Sequence, residues 1–456
     1  MKSLLTLAAS ALALCSAPAA AQDMVITNAT VALGDGSEPI ENATVVVRGG
    51  QVVSAGAGIA APADIPAMDA NGAWVTPGLF ATVSTLGIWD VGAVNESNDQ
   101  RASDAPFGAA LDTAPIVNPN AQHIAISRAA GVTRAATATL PSASIFGGQG
   151  AIIDLDGDAS PVMRPRAFQM VALGEYGARI AGGSRAATHT LLRNALREAG
   201  SFGDAARIPA GGRARDVRTV DDIPIDPRLA GVETERAGDA LLTRFDAAAL
   251  VPVVRGEQPL YVWVERASDI LSVLSLRSEF PDLDLVLVGV SEGWLVANEI
   301  AASGVPVIAD SLDDLPERFE QLAATQSNVG RLVDAGVTVA LNATGLRHNH
   351  RISQYAGNLV ALNNVPGATG LSWGEAFASI SSIPAAISGY EGQLGVLAPG
   401  AVGDVVIWDG DPLEPSSVPT RVFIGGVEQP LVNHQSRLRD RYRDLDESDL
   451  PKAYDW

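Results

Sequence analysis

Predicted helices and strands alternate along the middle of this 456-residue chain, and this alternation limits the possible folds more than any other feature. A helical pattern at 123–131 is followed by a strand pattern from Val132, and 188–200 has the apolar spacing of an amphipathic helix. Further strands, separated by helical segments, are predicted at 259–264, 283–289, 305–309 and 337–341. Such alternation indicates a parallel sheet, closed or open, and an array of roughly 300 residues has the size of a TIM barrel. The open sheet has less support because no G-x-G-x-x-G fingerprint follows an early strand.

The two ends of the chain have a different, strand-rich character. Residues 22–76 contain short apolar runs broken by Gly, Asn and Pro, and the Gly49-Gly50 pair between valines is a hairpin signal. Residues 392–431 have the same texture. Strand-rich segments therefore flank the helix–strand array, although texture alone does not show whether they join.

The first 21 residues have the features of a secretory signal peptide. Lys2 precedes an apolar run, and Ala19 to Ala21 supply an A-x-A cleavage site before Gln22. The run is too short, and wrongly flanked, for a membrane span. We expect cleavage near Ala21 and a mature protein that is periplasmic or secreted.

The mature chain is expected to be acidic and free of cysteine. The one cysteine, Cys15, lies in the signal segment, so the mature chain can form no disulfide, cysteine nucleophile or thiolate metal site. Loss of Lys2, the only charge in that segment, changes the net charge from −21 to −22. Such a protein should repel nucleic acid and anionic lipid. We expect no nucleic-acid partner and no membrane span.

Six motifs follow one another in a specific order and spacing along nearly the whole mature chain. They are VTPGL (75–79), NESND (95–99), RAAGVTRAATATLPSASIFGGQG (128–150), ALGE (172–175), EGWLVANEIAASGVPVI (292–308) and LGVLAPGAVGDVVIWDGDP (394–412). Together they resemble the amidohydrolase superfamily, specifically its imidazolonepropionase-like members. The resemblance implies an α/β fold, a TIM-like (β/α)8 barrel plus a small β-sandwich domain built from both chain ends. The implied divisions are a signal peptide at 1–21, sandwich segments at 22–76 and 389–434, a barrel at 77–388 and a charged tail at 435–456.

The resemblance also implies a metal centre at the strand ends, and the chain departs from the family pattern there. The family's first strand reads PGL-x-D-x-H-x-H, and Ala81, Val83 and Thr85 stand at its Asp and two His positions. The ligand positions of the fourth, fifth, sixth and eighth strands hold Met170, Trp263, Gly289 and Thr344. None of these side chains offers an imidazole, amine or carboxylate to a divalent cation. We therefore expect no catalytic residue at these positions, no metal and no other cofactor.

Residue counts support the same expectation. The only lysines are Lys2 and Lys452, so the barrel has no lysine that could be carbamylated. None of the five histidines lies at the end of strand one, five or six; they are His123, His189, His348, His350 and His434.

Other polar residues leave several alternatives open. His348 and His350 could be a relocated ligand pair or polar loop residues. The FGGQG segment (146–150) could cradle a ligand with its N–H groups or form a tight turn. Trp263 could fill a vacated cavity or offer a stacking surface. Five carboxylates could form an oxygen cluster for Ca²⁺ or Mg²⁺, or could remain solvated. They are Asp90, Glu96, Asp99, Glu265 and Glu292. Three loop serines are candidate nucleophiles, but no histidine is placed by the sequence to act as their base. They are Ser142, Ser144 and Ser291. The candidate pocket residues are Glu96, Gln149, Trp263, Glu265 and Glu292.

The resulting hypothesis is an exported amidohydrolase-family protein without the family's metal site, a pseudoenzyme that acts as a partner or binding subunit. Its partner would be a catalytically intact amidohydrolase relative in a hetero-oligomer. The alternative is an active hydrolase of non-peptide or dipeptide C–N bonds that uses a rearranged site. A periplasmic small-molecule binding protein is a third reading.

Overall fold

A computed structural model describes residues 21–92, 94–207, 241–311, 313–342 and 351–443. Apart from Ala21, the proposed signal peptide lies outside these residues, as do Thr344, His348, His350 and the last part of the predicted tail. Within the described part of the chain, no helix is long and apolar enough to cross a membrane.

Strands from both ends of the chain form one mixed sheet of eight strands. These strands are β1 (Met24–Val31), β2 (Ile40–Arg48), β3 (Gln51–Ala57), β4 (Ala67–Asp69) and β5 (Trp74–Pro77), with β14 (Val405–Trp408), β15 (Pro419–Ile424) and β16 (Val427–Gln429). Their order is β16-β15-β14-β5-β1-β2-β3, with β4 beside β1. The two chain ends meet where β5 pairs antiparallel with β14, Thr76 opposite Val406. The expected β domain from both ends is confirmed, and its strands belong to one continuous sheet.

The middle of the chain forms a closed barrel of eight strands. They are β6 (Leu79–Ser84), β7 (Val132–Thr137), β8 (Phe146–Asp154), β9 (Val162–Ala172), β10 (Leu260–Val264), β11 (Leu285–Gly289), β12 (Val307–Asp310) and β13 (Val339–Asn342). The barrel closes where β13 pairs with β6, Asn342 opposite Thr82. The fold class predicted from the sequence is therefore confirmed.

One strand departs from the all-parallel (β/α)8 pattern. Strand β8 is antiparallel to both of its neighbours, with Thr137 opposite Ala151 and Gln149 opposite Gln169. The connections on either side of β8 are short, and a parallel neighbour would need a crossover of a dozen residues or more. Strand β8 therefore enters the barrel as the middle of a three-stranded meander.

Helices surround the barrel and accompany the sheet. They are α1 (Gln122–Ala129), α2 (Gly174–Ile180), α3 (Arg185–Arg207), α4 (Arg244–Val254), α5 (Ala267–Leu274), α6 (Ala297–Ser303), α7 (Asn328–Asp334), α8 (Ile352–Ala361), α9 (Trp373–Ala378), α10 (Ser382–Ile387) and α11 (His434–Arg441). Buried apolar residues of these helices, such as Leu250 and Ile300, pack with outward-facing strand residues such as Val262 and Leu287. This layer is the largest apolar cluster among the described residues.

The barrel interior is the second apolar core. It contains Val83, Phe168, Met170, Tyr261 and Ile308, and each of these side chains is at most 2% exposed. The rings of Phe168 and Tyr261 stack with their centroids 4.3 Å apart. The interior is thus filled by side chains, as expected for a barrel of eight strands.

A buried ion pair joins the barrel to the sheet. Arg134 of β7 donates from Nε and Nη2 to the two carboxylate oxygens of Asp404 at 2.7 and 2.9 Å. Asp404 also accepts from the Gly425 N–H at 2.8 Å. The Trp408 indole, which donates to Thr76 Oγ1 at 3.0 Å, lies against Gly131 at the start of β7. The two domains therefore share a buried polar and aromatic contact.

We predict that Asp404→Asn lowers the free energy of unfolding by about 3 kcal/mol, because removal of one charge leaves the other buried without its full partner. The matched control is Asp64→Asn, which breaks the exposed pair with Arg48 and should have a much smaller effect, because solvent screens an exposed pair. Urea unfolding of both variants measures the difference. Equal effects of the two substitutions would contradict the importance of the buried pair.

Candidate functional site

Seven barrel strands run in one direction, so their carboxyl ends share one rim. We call this rim the barrel mouth; Thr85, Glu265, Val290, Asp310 and Asn342 lie there, at or just after the ends of β6, β10, β11, β12 and β13. The opposite rim is called the barrel base. Catalytic sites of such barrels are built at the mouth.

The two family His positions on β6 have a tight, apolar setting. Val83 is 2% exposed within the interior core and has a φ of +44°, which is strained for a β-branched residue. Thr85 is fully buried, and its hydroxyl has no hydrogen-bond partner. Met170 of β9 is also fully buried in the interior core. The positive φ of Val83 and a register shift between Ala81 and Ser84 make the end of β6 irregular. The side chain at residue 83 is nevertheless a hydrocarbon, which cannot bind a metal.

A buried carboxylate, Glu265, organises the middle of the mouth. Its Oε1 accepts from Trp263 Nε1 at 2.8 Å, and its Oε2 accepts from the Ser291 N–H at 3.0 Å. The Ser291 hydroxyl lies 2.8 Å from Glu265 Oε2 and 2.9 Å from Asp313 Oδ2, and Gln321 Nε2 donates to it at 3.0 Å. Since the hydroxyl has one proton, the two carboxylates compete for it. Burial raises the pKa of Glu265, and the bonds from Ser291 and Trp263 oppose that rise.

The carboxylate of Glu265 lies directly over Gly289. A Cβ at residue 289 would come 2.4 Å from Glu265 Oε1, and the φ of Gly289 is +88°. No side chain at this position, histidine included, is compatible with Glu265 where it lies. The glycine at the family's sixth-strand position and the glutamate after the fifth strand therefore depend on each other.

Trp263 is half-buried and packs against the interior core. Its ring stacks on Tyr176 of α2, with centroids 6.1 Å apart, and its only N–H is used by Glu265. On Tyr176 lie the guanidinium groups of Arg101 and Arg179, 6.0 and 5.2 Å from the ring centroid. These contacts favour the cavity-filling interpretation of Trp263.

Three further acids at the mouth were missed by the sequence analysis. Burial raises the pKa of Asp310 well above its usual value, with Glu265 and Asp313 adding repulsion. Burial also raises the pKa of Asp313 and of Glu320, and Glu320 accepts a hydrogen bond from the Glu175 N–H over Gly174. The position of Asp310 at the end of a predicted strand was the available signal. No sequence signal identified Glu320, because it lies in a separate 3-10 helix, Phe319–Gln321, and not at the end of a predicted strand.

Other predicted pocket residues lie elsewhere. Glu96 is exposed in a short 3-10 helix, Asn95–Ser97. Both carboxylate oxygens of Glu292 accept backbone N–H groups, from Ala267 at the start of α5 and from Ala323. That side chain thus has a structural role.

The interpretation of FGGQG as a tight turn or cradle is wrong, because the segment lies within β8. Gln149 is 3% exposed and lies on the outer face of the strand, since alternate residues such as Ile152 face the interior. The segment forms a strand and not a turn because β8 pairs antiparallel with β7 and β9, and its glycines belong to that paired strand.

The predicted oxygen cluster does not converge in the part of the chain that the structure describes. Three acidic or histidine ligand atoms come within 4.8 Å of one another there only at Asp154, Asp156 and Asp158, on the hairpin between β8 and β9 near the barrel base. Burial and the neighbouring Asp156 raise the pKa of Asp154 to about 7. Of the described histidines, His123 stacks on Trp89, His189 lies 3.8 Å from Asp269, and His434 is the first residue of α11.

Comparison with known proteins supports one class for this fold. No family model matches the chain. The curated protein Amidohydrolase tasK of Hapsidospora irregularis is 25% identical over 404 residues, which are 83% of this chain and 39% of that protein. The chain thus spans less than half of the length of its curated relative.

Solved structures show the same fold. An amidohydrolase from Thermotoga maritima has a TM-score of 0.74 and 24% identity, with 89% of this chain and 99% of that chain covered. A triazine hydrolase variant has a TM-score of 0.52 and 16% identity, with 94% and 100% covered. The resemblance to the amidohydrolase superfamily drawn from the motifs is confirmed at the level of the superfamily. The imidazolonepropionase-like subgroup stays a prediction.

We predict that Gly289→Ala destabilises the protein more than Gly304→Ala does. Both glycines have positive φ, but a Cβ at Gly304 meets nothing within 4 Å. Gly304→Ala should therefore cost about 1 kcal/mol for backbone strain alone, whereas Gly289→Ala should add about 1–3 kcal/mol of overpacking. Chemical unfolding measures both. The double variant Gly289→Ala/Glu265→Ala should cost less than the sum of its single changes; strict additivity would contradict direct contact.

We also predict that Asp310→Asn changes the pH dependence of stability. Because the pKa of Asp310 is raised on folding, the native state holds a proton that the unfolded chain has lost, and stability falls as pH rises above about 4. The neutral asparagine removes this loss, so the variant should gain stability over the wild type between acidic and neutral pH. Glu265, Asp313 and Arg318 also face this group. The exposed Asp314→Asn control should parallel the wild type; if it matched Asp310→Asn, the assignment to Asp310 would be wrong.

Proposed function

We propose that this protein is an exported, non-catalytic member of the amidohydrolase superfamily, a pseudoenzyme whose barrel serves as a partner or binding subunit. The observation that carries the proposal is the mutual dependence of Glu265 and Gly289. A carboxylate held by Trp263 and Ser291 takes the space into which a sixth-strand ligand would project. The mouth is therefore organised around a different interaction from the one that the family uses.

The residues present do not fit the metal centre that the resemblance implies. Val83 and Met170 are hydrocarbon or thioether side chains inside the apolar core, and Trp263 donates its only N–H to Glu265. A zinc or related centre needs three or four converging nitrogen, sulfur or carboxylate ligands.

Retention of a complete barrel is consistent with a role in assembly. The loop after β12, on the mouth side, exposes three large apolar side chains: Leu315 is 79%, Phe319 is 75% and Leu322 is 66% exposed. Several large exposed apolar side chains within one short segment are a feature of protein-interaction surfaces. We propose that this loop contacts a catalytically intact amidohydrolase relative in a hetero-oligomer. The signal-like first 21 residues support the export of this chain to the periplasm or beyond, and the proposed complex would form there.

The test is co-expression of the mature chain with a relative that is encoded beside it and carries H-x-H on its first strand. Light scattering after gel filtration should show a complex of both chains, and Phe319→Asp should weaken it at least about tenfold. Val418→Asp, at an exposed apolar position in another loop, is the matched control and should leave the complex intact. Isolation of this chain as a stable monomer in the presence of the relative would contradict the proposal.

A second candidate, an active hydrolase of C–N bonds with a rearranged site, is favoured by one observation. Strongly perturbed carboxylates gather at functional sites, and burial raises the pKa of both Glu265 and Asp310. Assays of the purified chain alone on dipeptides and cyclic amides separate the two candidates. We expect no turnover; turnover that Asp310→Asn abolishes and Asp314→Asn preserves would establish the second candidate instead.

A further inference from the structure

A cavity at the barrel base has the polar groups of a binding site. Its volume is about 290 Å³, which corresponds to a sphere about 8 Å across. Phe168 and Tyr261, the stacked pair of the interior core, form its apolar floor together with Ile387 at the end of α10. Arg164, Glu257 and Asp284 bring charged groups to its walls. The cavity is large enough for a small organic molecule, although below the usual size of a drug site.

Arg164 is the most informative wall residue. Its Nη1 lies 3.5 Å from the Ser388 carbonyl oxygen, and among the described residues no carboxylate lies within ion-pair distance of it. In a protein with 52 acidic and 31 basic residues, an arginine beside a cavity without an acidic partner is unusual. A guanidinium presents a planar fork of donors that fits a carboxylate. Arg164 is therefore placed to bind an anionic group of a ligand in the cavity.

The backbone leaves room for this guanidinium. Gly389 lies beside it with a φ of +83°, and a Cβ there would come 2.9 Å from Arg164 Nη1. A side chain at residue 389 would therefore push the guanidinium aside. Tyr261 lines the same cavity; burial raises its pKa, so its hydroxyl stays neutral, and that hydroxyl hydrogen-bonds with Ser388.

Carboxylates complete the wall without neutralising Arg164. Glu257 and Asp284 line the same cavity, and neither forms an ion pair within the described ranges. A ligand with one negative and one positive group could therefore contact both signs across a space of about 8 Å. An apolar side chain on that ligand would meet the ring of Phe168 and Ile387.

We propose that the cavity at the barrel base binds a small zwitterion, an α-amino acid, with its carboxylate on Arg164, its ammonium on Asp284 or Glu257, and its side chain on the Phe168–Ile387 floor. The inference is independent of the proposed function, because the site lies at the end of the barrel opposite the mouth. It is a binding site without chemistry, as expected at the amino ends of barrel strands. The ligand would bridge β9, β10 and α10.

The experiment is isothermal titration of the full mature chain with each of the twenty standard L-amino acids, followed by two blocked forms of the best binder. The amide form lacks the carboxylate, and the N-acetyl form lacks the ammonium. Each should bind at least about tenfold more weakly, because a hydrogen bond to a charged group is lost. Absence of binding by all twenty amino acids at ~10 mM would overturn the proposal.

Variants of the cavity residues test which side chain binds the carboxylate of the ligand and which binds its ammonium. Arg164→Gln should make the free amino acid and its amide bind equally, whereas Asp284→Asn/Glu257→Gln should remove the preference for a free ammonium. Arg166→Gln is the matched control, since Arg166 lies two residues away on the same strand, pairs with Asp112 and does not line the cavity. Discrimination between the free acid and its amide that survives Arg164→Gln would also overturn the proposal, even if overall affinity fell.

Discussion

The carboxylate of Glu265 holds the mouth of this barrel in its present form. It receives hydrogen bonds from the indole of Trp263 on β10 and from Ser291 just after β11, so it ties the ends of β10 and β11 together. A buried carboxylate is costly unless its oxygens are bonded, and here both oxygens are. The same position requires glycine at residue 289. One interaction thus fixes the indole orientation, the backbone at the end of β11 and the space available between them.

The fold does not depend on the chemistry of the mouth. The barrel closes through strand pairing and through an interior filled by residues such as Phe168, Met170 and Ile308. The sheet from both chain ends is joined to the barrel at Arg134, Asp404 and Trp408. Because these contacts lie away from the mouth, the strand ends can change their side chains while the scaffold persists. This separation of scaffold and site is general among superfolds.

The sequence predicted the scaffold well and the site only in part. Strands β10 to β13 were evident as apolar runs between helices, because fully buried strands need such runs. Strand β8 was missed because its glycines, at 147, 148 and 150, indicate a turn when read locally. The pairing of β8 with β7 and β9 is a tertiary feature that the local sequence does not reveal. Glycine is required at residue 150 because a Cβ would meet the ring of Phe168. Glu265 was identified as a mouth residue, but Ser291, Asp313 and Gln321 reach it from other segments, and no local pattern encodes that meeting.

The central claim is that the mouth lacks a ligand set able to hold a divalent metal. The most direct test is the ratio of zinc, iron and manganese to protein, measured by mass spectrometry on the mature chain purified from medium that contains all three. The account predicts a ratio far below one for each metal. A ratio near one, with the ion located at the ends of β6, β10 and β11 by anomalous scattering, would contradict it.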